Sequence, residues 1–379
     1  MSSYRILHTE SSMELGGQEI RILEEARGMI KRGHVVVLAA QPGSQILARA
    51  FQYDIPVESV DMSRVRWVWL IVTFLKLFQK HRINVVHTHG SIDSWTASIA
   101  GRLSSLRPLV IRARHKSTRI AKTWRHHVLY RTLPHAVVTT GNAVKQIVMA
   151  QAQVHESRVK SIPTGVDTEQ FHPGVSGDRV RAEFSIPRDV CLIGTVAFFR
   201  SYKGLTFFLD AAKLVLSARP DVKFLMVGDG PEYPLLVQQR DALGLQESII
   251  LPGYRNDIPQ CLACMDVFVL SSVEAEGVPQ SVTQAMAMNR AVIATDVGSV
   301  REIVQHEKTG LLVEPKNAEA LAQAMVRLVM NQSLRERLGQ TARLHIEESY
   351  SLAQMFTQTE ILYADIGSQR DVGGRIAYR

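Results

Sequence analysis

Twelve short apolar runs, most of them separated by stretches of helical period, set the limits on what this chain can fold into. The first half holds YRILHT (4–9), VVVLAA (35–40), NVVHTH (84–89), PLVIRAR (108–114), HAVVTT (135–140) and RVKSIP (158–163). The second holds CLIGTVAF (191–198), KFLMVG (223–228), SIILPG (248–253), DVFVLS (266–271), AVIATD (291–296) and GLLVE (310–314). Strands of near-continuous Val, Ile and Leu are buried on both faces, so their alternation with helices predicts parallel sheets covered above and below. A length of 379 residues allows two such α/β domains, each with its own core. The seam is expected near the turn-forming GVSGD at 174–178. That gives a first domain over 1–173, a linker over 174–185, a second domain over 186–349 and a helix over 350–366. A flexible tail is expected over 367–379, where Gly373 and Gly374 fall.

An apolar content of 46% with 21% charged residues is an ordinary globular composition. Three cysteines, an odd number, fit a reducing compartment better than a disulfide framework. Cys261 and Cys264 form a lone C-x-x-C in an apolar helix and read as small buried residues, since no second pair completes a zinc set. The chain enters a strand pattern at once, which predicts no signal peptide. The longest apolar run, 67–75, is far short of the ~20 residues that span a bilayer. The expectation is a cytoplasmic protein, at most peripheral at the inner face of the plasma membrane.

Charge separates the halves. Residues 1–173 carry 23 Lys and Arg against 12 Asp and Glu, whereas 174–379 carry 21 against 24. Over 94–155 there are ten basic residues and no acid. So basic a half wants an anionic partner: phosphates, an acidic glycolipid or an anionic membrane surface. Nucleic acid is not expected, because no recognised nucleic-acid module accompanies the charge. The helix RVRWVWLIVTFLKLFQKHR (64–82) reads either as an ordinary packed helix or as one lying on anionic lipid, and Trp124 amid Lys122, Arg125 and Arg131 poses the same choice.

Several βα corners carry chemistry. SSVEAEGVPQSVTQAMAMNRAVIATD (271–296) delivers Glu274 and Glu276 past a strand end, turns at Gly277, and starts a helix near Pro279. Free N–H groups at such a helix start suit phosphate or a polyhydroxylated ligand. MELGGQEI (13–20) places Gly16 and Gly17 between the first strand and its helix, where paired glycines allow close approach of a ligand. TVAFFRSYKGL (195–205) offers Arg200 and Lys203, a fork of donors and a compact charge suited to a diphosphate. His87 and His89 end the third run on one face, so zinc must be weighed; without a further ligand of the right spacing, acceptor contacts or simple capping of a cleft are favoured. Arg112, Arg114, His115 and Lys116 follow the fourth run. No Asp-x-Asp occurs, so side-chain cations and helix dipoles are expected to replace a metal; no cofactor is expected.

The 271–296 segment resembles the signature of retaining glycosyltransferases of the GT-B type, the bacterial group 1 family. That signature is a Glu, Gly-x-Pro, a second Glu eight positions after the first, then Ala-Met-Ala. Here Glu276, Gly277, Pro279 and Ala285, Met286 and Ala287 match, and Gln284 stands where the second Glu would be. IPTGVDTEQFHP (162–173) resembles the family's interdomain motif. The resemblance implies two Rossmann-like domains facing across a cleft, with the last helix crossing back to the first domain. It also implies a UDP- or GDP-linked sugar donor and a glycolipid or polysaccharide acceptor of the cell envelope. Carried onto this sequence, Arg200 and Lys203 would hold the departing diphosphate, Glu276 the sugar hydroxyls, and His115 the reacting face. Gly16, Gly17, Gly277, Val278, Pro279 and Gln284 would line the donor, with Tyr254 and Arg255 framing its base, partly through backbone groups. His87, His89, Arg114 and Lys116 would lie on the acceptor side. A hydrolysing nucleotide-sugar epimerase and a non-catalytic nucleotide-sugar-binding protein are the alternatives.

Overall fold

Each apolar run extends into a strand, and the strands assemble into two separate parallel sheets. The computed structural model describes residues 3–63, 66–115, 118–274 and 276–372, with side chains through 368. Thirteen strands occur among them. The first sheet contains β1 (Arg5–Glu10), β2 (Val35–Ala40), β3 (Val57–Ser59), β4 (Val85–Thr88), β5 (Leu109–Arg114), β6 (Ala136–Thr139) and β7 (Val159–Ser161). The second contains β8 (Leu192–Val196), β9 (Lys223–Val227), β10 (Ile249–Gly253), β11 (Val267–Leu270), β12 (Ala291–Thr295) and β13 (Leu311–Val313). Their orders are β3-β2-β1-β4-β5-β6-β7 and β10-β9-β8-β11-β12-β13. Both are doubly wound α/β sheets, in which the order reverses between β1 and β4 and between β8 and β11. Ligands of such folds bind beyond the carboxyl ends of the strands at that reversal.

The chain divides into Met1–Gly165 with Leu352–Arg379, and Val166–Ser351. Residues 166–173 therefore pack with the second unit: Val166 and Phe171 enter its core beside Val180 and Ile186. The stretch expected as a linker contains a helix, Asp178–Glu183, anchored by the buried Val180.

In the first unit, Ile6, Leu38, Val85 and Ile111 pack on one face of the sheet with the Gly17–Lys31 helix and the Leu352–Val372 helix. Leu7, Val37, Val86, Phe74 and Phe78 pack on the other. The Leu352–Val372 helix is held close by an absent side chain. A Cβ on Gly28 would lie 2.0 Å from the Phe356 ring. Arg32 Nη1 donates to Glu360 Oε2 at 2.6 Å and clamps the same contact. The tail expected to loosen from Gly367 instead stays helical to Val372, continuing turns whose Tyr363 and Ile366 are packed in the core. Gly373 and Gly374 lie outside the described residues.

Candidate functional site

In the second unit the reversal between β8 and β11 brings two loops together. Gly204 sits at φ +61, a conformation that favours glycine, and a Cβ there would meet the Ser271 carbonyl at 2.2 Å. Ser271 Oγ donates to the Lys203 carbonyl at 3.0 Å, and Val273 N donates to the Tyr202 carbonyl at 2.8 Å. These bonds stitch the Ser201–Lys203 turn to the loop after β11. Lys203 Nζ then donates to Glu276 Oε1 at 2.6 Å, and Ser272 Oγ donates to the same oxygen at 2.6 Å. Glu276 Oε2 makes no hydrogen bond among the described residues and is the oxygen left for a ligand.

Pro279 is the cap of the Gln280–Ala287 helix, at φ −72 and ψ 120, one position before the helical turn expected for it. The N–H groups of Gly277, Val278, Gln280 and Ser281 make no hydrogen bond among the described residues, so the helix start presents them with its positive dipole end. Gln284 is half-buried one turn in, and its amide likewise bonds no described residue. Arg200 is exposed, its guanidinium carbon 5.0 Å from the centre of the Phe198 ring.

Tyr254 is 73% exposed. The Arg255 side chain differs from expectation. It donates to Asp257 at 2.8 and 2.7 Å and to Glu183 at 2.7 and 3.0 Å, and these bonds, Asp257 first, raise its pKa. A guanidinium so occupied leaves only backbone groups for a ligand. Cys261 and Cys264 are buried thiols pushed up to about 12 by desolvation, in keeping with packing rather than redox chemistry.

The first unit builds its switch point from histidines. His8 on β1 pairs in register with His87 on β4, His89 follows two positions later, and His115 follows β5. His8 Nδ1 lies 2.9 Å from His89 Nε2, and His89 Nδ1 lies 3.0 Å from His115 Nε2. His87 Nδ1 faces the Tyr363 hydroxyl at 3.2 Å and Glu25 Oε1 at 3.3 Å. His8, His87 and His89 are buried and His115 half-buried, so His87 and His89 are not open to an acceptor as the sequence reading supposed. Desolvation drives His8 down to about 3 and holds His89 and His115 well below the usual imidazole range. Burial alone would raise Glu25, but His87, His8 and Arg21 hold it at about 2.

His8, His87 and His89 are the described group that could hold a metal, with ligand atoms within 4.8 Å of one another. The spacing argues otherwise. Two imidazole nitrogens ~2.0–2.1 Å from a tetrahedral ion stand roughly 3.4 Å apart, whereas His8 and His89 are at the 2.9 Å of an N–H···N bond.

Sequence reasoning missed His8, Glu10 and Asp93. Asp93 accepts from Thr9 Oγ1 at 2.7 Å and from the Gly90 and His89 N–H groups at 3.0 and 3.1 Å. Burial and the nearby Asp93 push Glu10 up to about 8. The period-two pattern of β1 put His8 and Glu10 on one face, but only the pairing with β4 reveals what that face meets. Gly16 caps the Gly17–Lys31 helix in ordinary extended backbone, its N–H donating to Glu19 Oε2 at 2.8 Å; both glycines are exposed. Arg114 donates to the Tyr130 hydroxyl at 3.1 Å and the Thr118 carbonyl at 2.6 Å, so its charge is engaged within the unit. Lys116 lies outside the described residues.

Two doubly wound parallel sheets are the arrangement of the GT-B fold, and solved structures share it. A glycosyltransferase from Rickettsia africae superposes with a TM-score of 0.88 at 22% identity, over 97% of this chain and 99% of that one. Anabaena HepE, solved in complex with UDP and glucose, superposes at 0.84 and 19% identity, over 96% and 100%. The profile of glycosyl transferases group 1 matches residues 187–331, and that of glycosyltransferase family 4 matches 15–170. The chain belongs to the group 1 glycosyltransferases. An Escherichia coli relative, UDP-Gal:alpha-D-GlcNAc-diphosphoundecaprenol alpha-1,3-galactosyltransferase, is 26% identical over 83% of this chain and 84% of its own. N-acetyl-alpha-D-glucosaminyl L-malate synthase of Bacillus anthracis is 28% identical over 52% and 51%.

Proposed function

We propose that this glycosyltransferase moves a sugar from a UDP- or GDP-linked donor, with retention of configuration, onto an anionic glycolipid or polysaccharide of the cell envelope. The Lys203–Glu276 pair at the β8/β11 switch point carries the reading. It sets a cation and a carboxylate side by side, next to unpaired helix N–H groups, where the two ends of a sugar diphosphate need opposite partners. As the sugar–phosphate bond lengthens toward an oxocarbenium-like state, charge grows on the leaving diphosphate, and Lys203 with Arg200 neutralises it without a metal ion. Glu276 turns Oε2 to the sugar hydroxyls. Gln284, donor and acceptor at once, takes the ribose. His115 hydrogen-bonds the transferring sugar. The donor named for the Escherichia coli relative and the ligands of HepE support a nucleotide-sugar donor; retention follows from the resemblance of the 271–296 segment.

The same reading extends to an anionic membrane face. No helix among the described residues is long and apolar enough to cross a membrane. The helix Trp67–His81, however, buries Leu70, Phe74, Leu77 and Phe78 and exposes Trp67, Val68 and Trp69, while Trp124 stands exposed beside Arg119, Lys122 and Arg125. Arg64 and Val65, at the start of the expected helix, lie outside the described residues.

A panel of nucleotide sugars tested by thermal shift identifies the donor, since a ligand at 100 times its Kd adds about 2.7 kcal/mol to stability. Product that keeps the anomeric configuration of that donor, at a rate unchanged by EDTA, is expected. Sugar epimerised and released without acceptor would favour the epimerase, and binding without turnover on any acceptor would favour the non-catalytic alternative. Sedimentation with anionic vesicles should weaken when Arg119, Lys122 and Arg125 are neutralised together, by about 1 kcal/mol each.

A further inference from the structure

The imidazoles of His8, His89 and His115 are joined end to end by two nitrogen–nitrogen contacts of 2.9 and 3.0 Å. An N–H···N bond holds one proton, so in a row of neutral imidazoles the direction of the first bond dictates every other. His8 Nε2 is buried and has no hydrogen-bond partner among the described residues. A proton there would be an orphaned buried donor, which costs on the order of 1–3 kcal/mol; on Nδ1 the proton meets His89 Nε2. His89 must then carry its own proton on Nδ1 and donate to His115 Nε2, leaving the His115 proton on Nδ1. His87 follows the same rule, with Nε2 unpartnered among the described residues and Nδ1 turned to Glu25 and Tyr363.

We propose that His8 and His89 are positioning residues that fix the tautomer of His115, so that its free nitrogen, Nδ1, offers a proton and not a lone pair to the ligand. This rests on the reading of His115 as a group that contacts the transferring sugar. An imidazole in water prefers the opposite, Nε2–H form, so the chain imposes a state that His115 would not adopt by itself. As a neutral N–H donor it bonds a sugar oxygen without removing a proton from it, which fits a hydrogen-bonding role and not a general base. Burial keeps the chain neutral, with Arg21, Arg112 and His87 adding to it and Glu25 opposing it. Arg21 and Glu25 face it from the Gly17–Lys31 helix, Arg112 from β5, His87 from β4 and Tyr363 from the Leu352–Val372 helix. Burial lowers the pKa of all three members of the chain. They therefore stay uncharged from neutral pH well into the acid range.

The test is long-range proton–nitrogen NMR on histidine-labelled protein, which distinguishes a protonated ring nitrogen from a bare one. Wild type should show Nδ1 protonated and Nε2 bare in His8, His89 and His115. His89→Leu should return His115 toward Nε2–H and lower kcat roughly tenfold, the size of one hydrogen bond, with donor KM unchanged. His89→Asn, whose amide N–H takes the place of the Nδ1 donor, should restore both the tautomer and the rate. The wild-type spectrum alone overturns the proposal if His115 carries its proton on Nε2, or if a co-purifying metal occupies the ring nitrogens. A correct tautomer with unchanged turnover in His89→Leu overturns the positioning role. Full activity in His115→Ala removes the underlying reading of His115 instead, while the spectrum still reports the chain.

Discussion

At the switch point of the second sheet, the charged groups stand on loops beyond the strands: Lys203 in a short turn after β8, Glu276 in the loop after β11, Arg200 exposed beside them. At the switch point of the first sheet, the ionisable groups sit in or just after the strands, and burial keeps His8 and His89 neutral. The same topology thus presents two kinds of chemistry. Loop-borne Lys203 and Glu276 face each other as a cation and a carboxylate, and they suit a diphosphate. Strand-borne groups are desolvated, so they act through the direction of a hydrogen bond rather than through charge.

Lys203→Ala should produce the largest effect, a fall in kcat of about a hundredfold to a thousandfold with little change in thermal unfolding. A parallel loss of stability would mean that the second site is structural and erase the contrast. Acid should strike the histidines first. His8 stays neutral in the fold but not in the unfolded chain, so the unfolded state binds the extra proton. Stability is therefore lost as pH drops below the ordinary imidazole value of 6.5 toward about 3. His8 alone contributes roughly 2 kcal/mol between pH 6.5 and 5. Denaturant titrations across that range should show the slope, and His8→Asn should flatten it; a slope equal in both proteins would break the comparison.

Gly28→Ala should lower stability by about 1–3 kcal/mol through overpacking against Phe356 and leave donor affinity intact, since Gly28 packs within the first unit whereas Lys203 and Glu276 belong to the second. Gln284→Ala sharpens the other side of the comparison. Donor binding measured by calorimetry should weaken by about 1–2 kcal/mol, and Gln284→Glu should remain active. Donor binding like that of wild type in Gln284→Ala would make the residue purely structural.

Both parallel sheets were legible in the sequence because continuous apolar runs are a local signal. The strand that escaped, Val57–Ser59, has three residues of which two are polar, too few to show a pattern at the sheet edge. The loop groups Glu276 and Lys203 were legible too, as carboxylate and cation beside glycine turns. The bond between them was not, because it depends on β8 and β11 lying side by side across 73 residues of sequence. His8 escaped for the same reason: its partners His87 and His89 are brought to it by pairing of β1 with β4. Arg255 was misjudged because Glu183, which captures it, comes from a stretch read as a linker.

The close approach of Phe356 to Gly28 bears on how the protein is made. The second unit is one unbroken stretch, Val166–Ser351, whereas the first needs both ends of the chain. On the ribosome the second unit can close as soon as its last helix emerges. The first must wait, its strands formed but the face carrying Ile6, Ile22 and His87 uncovered, until Met355, Leu362 and Tyr363 are synthesised. The first-made half of the polypeptide is the last to finish folding, and the exposed interval is the time taken to translate nearly two hundred residues, on the order of ten to forty seconds at ordinary rates of synthesis.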